Sequence, residues 1–285
     1  MSVSRRKKRR FLIGYGIFLI LCVVWGALLW KGFSSPSAED AGKRKENVPY
    51  PVSSQPTREA VFSQPTKESV VSPPRFSSSE KILLPVPYLS QENALPTGCE
   101  IVSTVMLLQY YSIPADTNAL IDRYLECGEL ELRGKMRYGP DPNEAFVGSP
   151  YRSDSFGCYA PVIQKALQRL FQEERHEFQV KNTTGVSLET LCCDYVSGDT
   201  PVLVWASINM APIEEGLEWF LNGSGRLFTW TKNEHCLVLV GYDASHYYFN
   251  DPYSSNGVVS YDKELADQRY QEMGRQSLII EPLAR

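Results

Sequence analysis

The sequence predicts an α+β domain, a helical half joined to an antiparallel-sheet half, carried behind one membrane-spanning helix. Three observations predict it. Residues 11–30 form a run of twenty without a single charge. Farther on, Ile101, Val105, Leu108 and Ser112 fall on one helical stripe, with Val102 and Met106 beside it. Residues 200–280 then hold compact β-rich runs at 200–207, 235–243, 246–252, 258–261 and 277–280, divided by turn formers.

The N-terminus comes first. Arg5, Arg6, Lys7, Lys8, Arg9 and Arg10 precede the uncharged run, and Lys31 follows it. As a helix rising about 1.5 Å per residue, the run covers roughly 30 Å, the hydrocarbon thickness of a bilayer. The cationic flank keeps the N-terminus in the cytoplasm and sends the rest outside. A cleaved signal peptide has a shorter apolar core and a small-x-small site, for which Ser37-Ala38 is a poor candidate, so the run reads as an uncleaved anchor. Cys22 sits inside the run behind Leu21 and so does not read as a lipoprotein cysteine. The expectation is a single-pass cell-membrane protein with an extracellular domain, an arrangement that suits a Gram-positive bacterium.

Residues 34–80 are rich in Ser and Pro with few large apolar side chains, and cannot bury enough surface to offset their conformational entropy. A nine-residue stretch is duplicated within them, at 52–60 and 61–69. Two copies do not build a solenoid, so the duplication reads as a lengthened spacer. The chain therefore divides into a cytoplasmic basic segment at 1–10, a transmembrane helix at 11–30, a disordered linker at 31–80 and a catalytic domain at 81–285. That domain holds 16 basic against 27 acidic side chains, a net −11, which repels a polyphosphate backbone and excludes nucleic acid as its partner. Seven cysteines in 285 residues are too few for a disulfide scaffold, and at least one needs its own explanation.

Within the domain, residues 82–89 read as an extended, proline-edged strand. Cys99 then lies at the start of the periodic helix, where aligned peptide dipoles and free amides favour the thiolate, the attacking form. Gly98 leaves room for a substrate carbonyl. Gln91, eight residues upstream on a Pro- and Gly-containing loop, can fold back so that its carboxamide and the Cys99 amide donate to one developing oxyanion. Cys158, before a second periodic segment at 161–171, is the rival nucleophile, but no Gln stands shortly before it.

A nucleophilic thiol needs a base, and the chain has three histidines. His176 ends a charged amphipathic stretch and reads as a surface residue. His235 opens one β run and His246 begins the next across a short turn at 243–245, which makes a hairpin. If the turn centres near Ala244, His235 lies opposite about Tyr253, and Asp251 is its diagonal neighbour on the same face. A histidine and an acid so placed form the base-and-orienter pair that a thiol requires. Asp251-Pro252 taken alone reads equally well as a turn start, and Asn250 points to the opposite face, so it ranks below Asp251.

Residues 134–159 have little periodicity and many turn formers, and read as an ordered loop walling a cleft. Residues 214–221 read as a short helix. Cys127, Cys192, Cys193 and Cys236 read as core or edge residues, and a disulfide among them and Cys158 is permitted outside a cell. Spacing for a closed zinc site is absent, so neither metal nor cofactor is expected.

The order Gln91, Cys99 on a helix, His235 on a strand and Asp251 before a proline resembles the papain-like cysteine peptidases. More narrowly it resembles the peptidase domains that cut bacteriocin leader peptides after double glycine, and their stand-alone bacterial relatives. The residues carrying the likeness are 86–91, Gly98-Cys99-Glu100, 235–243 and Asn250-Asp251-Pro252. The resemblance implies a papain-like fold with Cys99 as nucleophile, His235 as base and acid, Asp251 as orienter and Gln91 as oxyanion donor. Leader-cleaving domains are usually followed by a six-helix transporter, whereas this chain has one span at its opposite end. The implied activity is therefore cleavage of a peptide or amide bond in a peptide or peptidoglycan peptide, through an acyl-enzyme. A cell-wall amidase or acyltransferase, and a catalytically silent peptide-binding module, remain as alternatives.

Overall fold

The structure is a computed structural model that describes residues 81–283, apart from Asn93 and residues 254–256. The predicted basic segment, membrane span and linker lie outside the described residues. No helix among those described is long and apolar enough to cross a membrane.

Five α-helices are described: α1 (Cys99–Tyr110), α2 (Thr117–Tyr124), α3 (Ala160–Glu174), α4 (Leu188–Asp194) and α5 (Lys263–Glu272). Their starts follow local chemistry. Asp116 accepts the Ala119 amide at 2.8 Å ahead of α2, Ser187 accepts the Thr190 amide at 3.2 Å ahead of α4, and Asp262 accepts the Glu264 amide at 3.0 Å ahead of α5. Pro161 stands in the first turn of α3, where a missing N–H leaves no bond unmade, and α3 ends on the left-handed Arg175.

The strands in chain order are β1 (Ile82–Leu83), β2 (Cys127–Gly128), β3 (Glu131–Arg133), β4 (Met136–Gly139), β5 (Phe146–Val147), β6 (Phe178–Asn182), β7 (Val202–Ser207), β8 (Glu215–Leu221), β9 (Leu227–Thr231), β10 (Glu234–Tyr242), β11 (His246–Asn250), β12 (Val258–Asp262) and β13 (Ser277–Pro282). Seven of them make one antiparallel sheet, in the order β12-β11-β10-β7-β13-β6, with β1 paired to the far end of β10. A four-stranded sheet runs β3-β4-β8-β9, and β2 pairs with β5. Every residue of β7 and β10 is buried, as expected of central strands covered by helices, and α1 packs on β10.

The predicted strand at 82–89 is shorter than expected: only Ile82 and Leu83 pair, because Pro85 and Pro87 have no N–H to give to a ladder. The expected helix at 214–221 is instead the strand β8. Trp219 and Leu221 are buried on alternating positions, packing with Val147 and Trp230, and β9 supplies the pairing partner. The cysteines described are all unpaired. The segment at 134–159 is ordered, with β4 and β5 inside it.

Candidate active site

Cys99 is the first residue of α1, and α1 is held against β10 by the Ser103 hydroxyl, which donates to the Cys236 carbonyl at 3.0 Å. The neighbour of Cys236 is His235, so one helix-to-strand contact sets both side chains. Hairpin register carries the acid to them. Val238 pairs with Asn250 and Leu239 with Phe249, as the turn at Ala244 predicts, while a bulge between Leu239 and Gly241 shifts the pairs nearer the turn by one. Continuing the first register brings Tyr253 edge-on to the His235 ring at 6.2 Å between centroids. His235 Nε2 lies 2.7 Å from Asp251 Oδ1, with both side chains buried. Asp251 Oδ1 also accepts the Tyr253 amide at 2.9 Å, which fixes the carboxylate against the ring.

Cys99, His235 and Gln91 line one cavity of ≈ 220 Å³, together with Phe156, Trp230 and Glu234. The Gln91 amide donates to the Pro252 carbonyl at 2.9 Å, so the loop bearing Gln91 is tied to the residue after Asp251. Its Nε2 donates to the Pro96 carbonyl at 3.4 Å, and its buried Oε1 has no partner among the described residues. Asn250 faces away from the cavity side of the pair and donates Nδ2 to the Val86 carbonyl at 3.0 Å, holding the strap that leads to Gln91. Phe156, Ser153 and Ser155 bring the 134–159 segment to the cavity as a wall.

The space over Gly98 differs from expectation. A Cβ built there meets the Leu95 Cβ at 2.6 Å, so glycine is required by the tight turn before α1 rather than by room for a substrate. The charge around the thiol differs too. Burial pushes the Cys99 thiol well above its ordinary value, the Glu100 and Glu234 carboxylates add to that, and only a backbone bond from Cys236 opposes. The helix terminus, which favours the thiolate, acts against these effects. The thiol donates to Glu100 Oε2 at 3.3 Å, and Glu100 Oε1 accepts the Cys158 amide at 2.6 Å.

Glu100 and Glu234 are the residues that sequence reasoning missed. Glu100 stands inside a motif without a role, and Glu234 goes unremarked beside His235. Burial raises Glu100 to about 7, and burial followed by the Glu100 charge raises Glu234 well above the carboxylate range. One ligand atom from each of Cys99, Glu100 and Glu234 lies within 4.8 Å of the others.

The remaining candidates do not line the cavity. Cys158 is buried in the core with its amide given to Glu100 and its carbonyl accepting the Trp205 indole N–H at 2.9 Å. His176 lies beside Glu174 at 3.4 Å, and His246 beside the Ser245 hydroxyl at 2.8 Å.

A family model described as the Peptidase_C39 like family matches residues 83–278. Among solved structures, a C39-like peptidase from Bacillus anthracis superposes with a TM-score of 0.63 at 28% identity, covering 73% of this chain and 100% of that one. A double glycine motif protease from an AMS/PCAT transporter, solved in complex with the leader peptide, is 17% identical with a TM-score of 0.39, covering 72% of this chain and 99% of that one. No curated protein matches the sequence.

Proposed function

The chain belongs to the peptidase C39-like family of cysteine peptidases, and from that premise we propose that it is a membrane-anchored, outward-facing peptide hydrolase working through an acyl-enzyme on Cys99. The observation that carries the residue roles is the buried 2.7 Å pair of His235 and Asp251 at the wall of a cavity that Cys99 and Gln91 also line.

Asp251 engages Nε2 of the imidazole, which leaves Nδ1 as the free base. A thiol raised by burial does not ionise by itself, so its proton moves to His235 Nδ1 as the sulfur bonds to the substrate carbonyl carbon. The resulting oxyanion takes hydrogen bonds from the Cys99 amide and from Gln91 Nε2, whose second N–H is not spent on Pro96. The imidazolium then gives its proton to the departing amine, and the C–N bond breaks. In the second half, His235 removes a proton from water as the water oxygen attacks the thioester carbonyl, and the same proton returns to the sulfur. Asp251 holds one tautomer throughout.

The anchoring reading is supported by the uncharged run at 11–30 and its basic flank. A peptide substrate is supported by family membership.

The test is turnover of a cleavable peptide by the full-length chain. Cys99→Ala is expected to abolish it while leaving the thermal unfolding curve in place, and wild-type turnover by that variant would remove the nucleophile assignment.

A further inference from the structure

Two carboxyls are buried beside a sulfur that has to become negative. Glu100 is fully buried and Glu234 is 7% exposed. Neither forms an ion pair with Lys or Arg among the described residues. The titratable groups facing them are Cys99 from α1, Cys158 and Tyr159 from the segment leading into α3, and Cys236 with the adjacent His235 from β10. Gly157 packs over both: a Cβ there meets Glu100 Oε1 at 2.5 Å and Glu234 Oε2 at 3.1 Å, so the two acids face the same small space.

Like charges this close in a dry site do not both ionise, and one carboxyl keeps a proton. Hydrogen bonds decide which. Glu100 accepts from the Cys158 amide and from the Cys99 thiol, and bonds of that kind favour a charged carboxylate. Glu234 Oε1 has no hydrogen-bond partner among the described residues.

We propose that Glu234 is held as the neutral acid of this pair, and that Glu100 carries its single charge as a positioning residue that parks the resting Cys99 thiol and sets how readily it ionises. This deepens the reading of Cys99 as nucleophile and rests on it. The ionisation of Glu100 near neutrality agrees with the assignment, since its charged form appears at about 7. Above that point an anion stands at the sulfur and opposes thiolate formation. Removing the charge eases it. Replacing Glu234 by glutamine exchanges one neutral group for another.

The experiment follows iodoacetamide alkylation of the full-length wild type, E100Q and E234Q as a function of pH, with the labelled cysteine located by peptide mass spectrometry. For E100Q the midpoint of Cys99 alkylation is expected to move to lower pH by about one unit, and for E234Q to stay within about 0.3 unit of the wild type. An unmoved midpoint in E100Q overturns the inference, as does an E234Q shift as large as that of E100Q, and in either case Cys99 remains the reactive thiol. Fastest labelling of a different cysteine removes the nucleophile reading and this inference together. Should E100Q not fold, infrared titration decides: the wild type is expected to keep a buried protonated-carboxyl stretch above neutral pH that E234Q lacks, and absence of that band in the wild type overturns the assignment.

Discussion

The His235–Asp251 contact shows how much one residue pair depends on its surroundings. At 2.7 Å and out of solvent, the carboxylate selects which ring nitrogen carries the proton. Asp251→Asn presents an amide that can hold the opposite tautomer. It is expected to lower kcat by about 100-fold to 10,000-fold, with KM little changed. Steady-state kinetics on a single peptide check this, and a loss confined to KM would reassign Asp251 to substrate binding. These residues were legible in the sequence because chain order and alternation along a hairpin are local properties. Glu100 and Glu234 were not, since an acid in a sequence reads as a solvated side chain, and only burial against a thiol reverses its meaning.

Among the elements, the β10–β11 hairpin was the most legible, because a three-residue turn determines the pairing of the strands it joins. What the turn does not reveal is the bulge between Leu239 and Gly241 and the docking of β1 beside it. A Cβ at Gly241 would collide with the Ile82 carbonyl, so the close approach of β1 requires glycine. Gly241→Val is expected to push β1 off, with loss of hydrogen-exchange protection at the Leu84 amide, which donates to the Val240 carbonyl at 2.8 Å. The β10–β11 amides keep theirs. Equal loss across the whole sheet would show instead that β1 is part of one cooperative unit with it. The misread segment at 214–221 fails for the complementary reason: its acidic start imitates a helical first turn, whereas its strand state rests on the ladder to β9 and on the aromatic cluster of Trp219, Phe228 and Trp230.

For the whole molecule, the proposed arrangement is a tethered peptidase whose folded part works outside the membrane. Protease added to intact cells is expected to cut within residues 31–80 and release an active domain into the medium, detected by peptide hydrolysis in the supernatant. Activity that stays inside protease-treated cells would reverse the orientation.

The sequence by itself determined the helix that begins at Cys99, the hairpin that joins His235 to Asp251 and the family likeness. Each of these rests on spacing and order along the chain, which need no distant partner. Tertiary structure alone decided that Gln91 meets the loop after Asp251, that Gly98 is filled by Leu95 and that two acids lie under the nucleophile. Those outcomes depend on which surfaces lose their water together, a quantity set by the packing of segments far apart in the chain.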